Sequence, residues 1–186
     1  MSSSKILLNE RYEIIREIGK GGMSVVYYVK DIRLSKYWAM KKVKKENKSY
    51  YQAFINEVKM ISKLQHKGIP KCIDFFENDD AAYIVMEYIK GVSLHTYQYQ
   101  RSINVQEIEK WMLELCDIFI YLHTNFQMSI LYLDLKPQNI MIDENQNIYL
   151  IDFGSACFAG HIAHMMTGTP RFYSTGSYEK KRIRYS

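Results

Sequence analysis

The sequence predicts an α+β fold in two parts, and two observations predict it. Residues before Gly91 read as short strand-like runs, the first alternating apolar and polar side chains and the next rich in β-branched and aromatic residues, interrupted by one helix-period segment. After Gly91 the period becomes helical, until two short β-like runs return near residue 140.

The elements follow in order. Tyr12, Ile14 and Ile18 alternate as in a half-buried strand, with Ile15 breaking the pattern. A turn at Gly19-Lys20-Gly21-Gly22 leads into a second strand beginning with Val25 and Val26, and Tyr37 to Met40 reads as a third. From Tyr50 to Gln65, Phe54, Val58, Ile61 and Leu64 line one face of a helix. Strands are expected over Lys71–Phe76 and Ala82–Tyr88. Ile108, Trp111, Met112, Leu115, Phe119 and Leu122 then recur at helix spacing, ending near Asn125. Ile140–Ile142 and Ile148–Ile151 flank the turn Asp143–Asn147 as a hairpin.

Composition narrows the class. With 47% hydrophobic and 24% charged residues, the 186-residue chain is composed like a globular protein and not a disordered one. The net charge of +5 is concentrated in Lys41 to Lys48 and Lys180 to Arg184; no nucleic-acid motif accompanies it, and no nucleic-acid partner is expected. Cys72, Cys116 and Cys157 are odd in number and lack metal-ligand spacing, so reduced thiols are expected. No apolar run reaches the length of a membrane span, and a cytoplasmic protein is the expectation.

Three groups of residues carry chemistry. Gly19-Lys20-Gly21-Gly22-Met23-Ser24 lies between two expected strands, where glycines let backbone N–H groups approach phosphate. Strand residues after it argue against a dinucleotide-binding turn, which needs a helix there. Glu57 stands at the edge of an apolar helix face, where a buried carboxylate needs a cation, and Lys41 is a candidate. Asp134, Lys136 and Asn139 precede the expected hairpin and Asp152-Phe153-Gly154 follows it, so one β-turn-β unit gathers oxygen ligands suited to Mg²⁺.

In this order the motifs resemble the bacterial-type (Hanks-type) Ser/Thr protein kinase catalytic domain over roughly Tyr12 to Phe172. The resemblance implies a protein kinase-like two-lobe fold: an antiparallel N-lobe with one helix over about 12–88, a hinge at 87–91 and an incomplete helical C-lobe over 92–172. It implies ATP and Mg²⁺ as cofactors and protein substrates as partners. Lys41 would hold the α- and β-phosphates and pair with Glu57; Asn139 and Asp152 would hold the metal; Asp134 would take the hydroxyl proton and Lys136 steady the γ-phosphate. Gly19 to Ser24 would cover the phosphates. Val26, Ala39 and Met141 would sandwich adenine beside the hinge residues Met86, Glu87 and Tyr88.

The sequence departs from the family in three places. Ser24 replaces the third glycine of the loop, as is common in bacterial relatives. Tyr132-Leu133-Asp134 replaces the usual His-Arg-Asp, with Tyr132 expected to pack under Phe153. Leu133 removes the cation that would clamp a phosphorylated activation segment, so activity without that phosphorylation is expected. Phosphate transfer to an external substrate should then survive Thr167→Ala and Thr169→Ala; its loss would refute the expectation, unless Thr169 is a structural contact. After Gly168-Thr169-Pro170-Arg171-Phe172 the family's Pro-Glu motif is missing, and residues 173–186 are expected to be an aberrant basic tail. Reading suitable codons one base later gives Ile-Pro-Pro-Glu-Val-Met-Lys, which points to a frameshift. The rival expectation is a truncated, non-catalytic ATP-binding or interaction module; a small-molecule phosphotransferase of the same fold is more distant.

Overall fold

The computed structural model describes residues 7–22 and 24–160, so Met23, the segment Thr167 to Phe172 and the tail 173–186 lie outside the described residues. Strands β1 (Leu7–Leu8), β2 (Tyr12–Lys20), β3 (Ser24–Asp31), β4 (Lys36–Lys44), β5 (Cys72–Glu77) and β6 (Ala81–Glu87) form a six-stranded antiparallel sheet in the order β1-β2-β3-β4-β6-β5. The break in alternation at Ile15 has a geometric cause. The β2–β3 register shifts between Ile14 and Arg16, and again between Glu17 and Gly19. Such bulges insert a residue and add twist, which here leaves Ile15 exposed.

Residues directly opposite one another in an antiparallel pair share a face. Met40 lies opposite Tyr27 and Val85 and packs with Tyr12, Val29 and Tyr83 in one core. Its neighbours Ala39 and Lys41 therefore face the other side. Ala39 lies opposite Tyr28 and Met86, and Lys41 opposite Val26 and Ile84. The helix α1 (Lys48–Ile61) covers that second face, capped by Asn47, whose side chain accepts from the amides of Ser49 and Tyr50. Phe54, Glu57, Val58, Met60 and Ile61 are its buried residues. The helix stops at Ile61, short of the expected Gln65. Leu64 is still buried, but its amide bonds Ile61 in a tightened turn, and the Gln65 amide is held by the Tyr121 hydroxyl at 2.7 Å.

Arg11, just before β2, closes the sheet on itself. Its guanidinium reaches Asp31 Oδ2 at 2.8 and 3.0 Å and Asp74 Oδ2 at 3.1 Å, and the Tyr12 hydroxyl donates to the same Asp74 oxygen at 2.7 Å. Because β5 is the far edge of the sheet, these contacts require it to curl. Burial works against the Asp31 carboxylate, but the Arg11 bonds and the amides of Leu34 and Arg33 outweigh it and lower its pKa. A folded-state pKa below the unfolded value of about 3.9 means the stabilisation is complete above that pH and is lost as pH falls through the folded value. The melting temperature should therefore fall as pH drops below about 4, and Asp31→Asn should flatten that slope. Equal slopes in thermal melts of both proteins would refute the assignment.

Past the sheet come β7 (Gly91–Ser93), α2 (Leu94–Gln100), α3 (Val105–Thr124) and β8 (Ile130–Leu131). A 3₁₀ turn (Pro137–Asn139), β9 (Ile140–Asp143), β10 (Ile148–Leu150) and β11 (Cys157–Phe158) follow. The strands β9 and β10 form the expected hairpin, with β7 added on the β9 edge, while β8 pairs β11. Gly91 permits the β7–β9 approach: a Cβ there would stand 2.0 Å from the Ile142 carbonyl oxygen. Asn104 and Glu107 form a capping box that starts α3.

The buried face of α3 differs from the expected one. Trp111, Ile118 and Leu122 are buried and Leu115 and Phe119 partly so, whereas Ile108 and Met112 are 48% and 53% exposed. The cause is Gly68: α3 sits so close to it that a Cβ would lie 2.6 Å from Ile118 Cδ1. That approach rotates the stripe through Ile118 inward. Leu113 and Ile120 are exposed as well, so the helix carries apolar residues on its outer surface.

Candidate active site

Lys41, Glu57 and Asp152 meet although they come from β4, α1 and the segment after β10. The Lys41 ammonium is 2.8 Å from both Glu57 carboxylate oxygens and 3.1 Å from Asp152 Oδ1. The Lys41 and Glu57 side chains are only 14% and 6% exposed. Burial opposes the Lys41 charge, but the two carboxylates outweigh it and its pKa rises. Burial also lifts the Glu57 carboxyl above its ordinary value, against the pull of Lys41. Asp152 loses some hydration too, yet Lys41, the Gly154 amide at 3.3 Å and Lys136 hold its pKa down. The partner that the sequence left open for Glu57 is thus Lys41, shared with Asp152.

The second group is local. Asp134 Oδ2 accepts from Lys136 Nζ at 2.6 Å and from Asn139 Nδ2 at 3.0 Å, and Asn139 Nδ2 also donates to the Asp134 carbonyl at 2.9 Å. The Ile151 amide bonds the Asn139 carbonyl at 2.9 Å and so joins this loop to Asp152. Leu133 and Asp152 hold φ of 62° and 63°, a left-handed backbone that costs a non-glycine residue about 1–3 kcal/mol. Surrounding bonds maintain it. Tyr132 is buried edge-on to Phe153, with ring centres 5.2 Å apart, and its hydroxyl donates to the Ile151 carbonyl. Burial, then the charges of Asp152 and Asp134, raise the Tyr132 pKa, so the phenol stays a proton donor.

The hairpin that carries these loops is fixed from behind. The Gln146 carbonyl accepts from Trp111 Nε1 at 3.1 Å and from Lys110, while its side-chain oxygen accepts from the Tyr97 hydroxyl at 2.7 Å. The amide of Ile148 donates to Glu114 at 2.9 Å. None of these residues was a site candidate in the sequence, since nothing there signals a contact between α3 and a distant turn.

The glycine-rich segment is a hairpin tip, not a strand–helix turn. Gly19 lies opposite Val26, Lys20 opposite Val25, and the Gly21 amide bonds the Ser24 carbonyl at 2.9 Å. Lys20, Gly21 and Gly22 are exposed and take no part in the hydrogen bonds among the acidic groups. Val26, Ala39 and Met86 share the Lys41 face of the sheet; Met141 lies on β9, opposite Ser93 and Tyr149. Glu87 ends β6, and Tyr88 opens the segment leading to β7. Two surface clefts, of 240 and 160 Å³, lie beside Gly68 and Lys90 respectively, and neither is lined by Lys41, Asp134 or Asp152.

Comparison with known proteins agrees with this geometry. The family model described as "protein kinase domain" matches residues 12–181, running past the expected boundary at 172. The chain is 30% identical over 90% of its length to the serine/threonine-protein kinase cds1 of Schizosaccharomyces pombe. It is 35% identical over 80% of its length to the serine/threonine-protein kinase PrkC of Bacillus subtilis. A probable myosin light chain kinase of Dictyostelium discoideum is 32% identical over 87% of the chain. The chain spans 36%, 23% and 52% of these relatives' own lengths. Sequence, fold and relatives converge, and the chain belongs to the protein kinase domain family, as a Hanks-type Ser/Thr kinase catalytic domain.

Proposed function

We propose that this chain binds ATP with Mg²⁺ between its two parts and transfers the γ-phosphoryl group to Ser or Thr hydroxyls of protein substrates. The observation that carries the reading is the Lys41–Glu57–Asp152 bridge, which spans the sheet, α1 and the hairpin loop. A buried ammonium held by two carboxylates needs a purpose beyond stability, because such pairs seldom stabilise more than apolar packing would. A polyphosphate supplies one: Lys41 contacts its oxygens while Glu57 keeps the ammonium aimed. Val26, Ala39 and Met141 give adenine flat apolar walls, Met86 to Tyr88 offer it backbone partners, and Gly19 to Gly22 with Ser24 cover the phosphates.

The residues fit Mg²⁺. Asn139 commits its amide nitrogen to Asp134, which leaves the amide oxygen for a cation, and Asp152 keeps Oδ2 outside the Lys41 contact. Among the described residues no group of three or more His, Cys, Asp or Glu could hold a metal alone. Two protein oxygens completed by phosphates and water is the arrangement Mg²⁺ favours. When bound, the ion neutralises charge on the phosphates. Asp134, its Oδ2 fixed by Lys136 and Asn139, presents Oδ1 to the incoming hydroxyl. It accepts that proton as the new O–P bond forms and the bond to the ADP oxygen breaks. Lys136 balances charge on the transferred group.

No helix among the described residues is long and apolar enough to cross a membrane. Cys72, Cys116 and Cys157 are free, which supports a reducing, cytosolic setting for the domain. The test is transfer of label from γ-labelled ATP to peptides carrying one Ser, Thr or Tyr, with and without Mg²⁺. Metal-dependent labelling of the Ser and Thr peptides is expected. Nucleotide binding with no transfer to any peptide would overturn the catalytic reading and favour a binding module.

A further inference from the structure

The catalytic face of the sheet continues outward beyond Ala39 into a row of side chains that the phosphate, metal and proton roles do not use. Arg16 lies opposite Tyr28 in the β2–β3 register, and Tyr28 lies opposite Ala39. Tyr37 precedes Ala39 by two residues on β4, so it shares that face. The rings of Tyr28 and Tyr37 stack 5.2 Å apart at 9°, and the Arg16 guanidinium stands 5.3 Å from the Tyr28 ring centre. Tyr28 also meets Tyr88, with ring centres 4.5 Å apart and planes inclined at 54°. Three strands and the segment after β6 thus contribute to one cation–aromatic stack.

A cross-strand pair that merely stabilises the sheet would account for Tyr28 with Tyr37. It does not account for Tyr88, which lies beyond the last β6 residue. The β4–β6 ladder ends at Trp38 opposite Glu87, and among the described residues 88–90 make no further backbone ladder bond. Ring contact joins this end of the segment to the sheet, and the next residue, Ile89, is buried. At the other end Lys90, 73% exposed, pairs with Glu144 in the β9–β10 turn at 2.8 Å. The connection between the two parts thus touches the sheet through the Tyr88 ring and the hairpin through an exposed Lys90 ion pair, with Ile89 buried between them.

We infer that Tyr28, backed by Arg16 and Tyr37, is a positioning residue for the nucleotide base: it fixes Tyr88 and so pre-sets the backbone that receives adenine. The inference rests on the ATP-binding reading given above. Pre-setting this segment lowers the ordering cost of binding, so the benefit falls on the base end of the ligand. The phosphate end, held at Lys41, is indifferent to it.

The experiment titrates the full chain with Mg²⁺·ATP and, separately, with Mg²⁺·tripolyphosphate, which has phosphates but no base. Tyr28→Leu should weaken ATP binding by about threefold to about tenfold, the worth of one or two aromatic contacts, and leave tripolyphosphate binding unchanged. Tyr28→Phe keeps the ring and should bind ATP like the wild type. Unchanged ATP affinity in Tyr28→Leu overturns the inference, as does an equal loss for both ligands, which would mean general loosening. If Tyr28→Leu does not fold, Tyr37→Leu at the exposed end of the stack gives the same contrast in smaller measure, and its absence is equally decisive. A wild-type chain that binds neither ligand overturns the nucleotide reading itself, whereas a wild type that binds ATP with an indifferent Tyr28→Leu overturns this inference alone.

Discussion

Replacing Lys41 with Met is expected to destabilise the fold by about 3–5 kcal/mol and to abolish phosphoryl transfer. Loss of transfer follows from loss of the phosphate contact. Loss of stability has a separate cause, because the ammonium is the only cation within bonding distance of Glu57 among the described residues. Removing it leaves a carboxylate that is 6% exposed facing Asp152, whose Oδ1 shared the same ammonium. Little water reaches Glu57 to compensate, and a loss of this size is a large part of a domain's typical stability of about 5–15 kcal/mol.

The second substitution decides the cause. Lys41→Met combined with Glu57→Leu removes both charges and should regain most of the stability in urea denaturation, with none of the activity. If single and double variants are equally unstable, the loss comes from packing around Lys41. The pH dependence adds a check. Burial already raises the Glu57 carboxyl, and without Lys41 it rises further. A carboxyl with a raised folded-state pKa takes up its proton first in the folded chain, so the Lys41→Met variant should gain stability as pH falls towards the unfolded Glu value.

How much was legible depended on length and period. Strand β2 was readable from its alternation, and β3, β4 and the hairpin around Asp143 from β-branched and aromatic runs bounded by turn residues. Leu-His-Thr-Tyr-Gln-Tyr-Gln, which forms α2, carries no apolar period; Ser93 capping and burial of Tyr97 make it helical. Strands β7, β8 and β11 are two or three residues long and exist only through their partners. The face of α3 was misassigned at Ile108 and Met112 because helix period cannot say where Gly68 admits a close approach.

The site shows the same division. Residue types and spacing nominated Lys41, Glu57, Asp134, Asn139 and Asp152, but their meeting depends on a curled sheet and a tethered hairpin. Arg11, Asp31 and Asp74, which close the sheet, are unremarkable in sequence, being charged residues in or beside strands with no motif around them. The Tyr28–Tyr88 contact joins residues sixty positions apart in a chain with 16 tyrosines, so neither stood out.

Asp134→Asn is the substitution that separates chemistry from binding. It keeps the shape of the side chain and removes the basic oxygen, so transfer should fall by about 10²–10⁴, the usual contribution of a positioned base. ATP affinity should be unchanged, because Asp134 has no part in the Lys41–Glu57–Asp152 bridge and its own bonds go to Lys136 and Asn139. Asn139 must hold its orientation for this to succeed, and its second bond, to the Asp134 carbonyl at 2.9 Å, survives the change. Parallel loss of ATP binding would mean that Asp134 acts through Asn139 and the metal, not as a base. Retention of more than about a tenth of the wild-type rate would remove it from the base role, since a positioned base typically contributes about 10²–10⁴. The two failures differ in what they leave standing: the first keeps the site and reassigns one carboxylate, and the second requires another proton acceptor near Lys136.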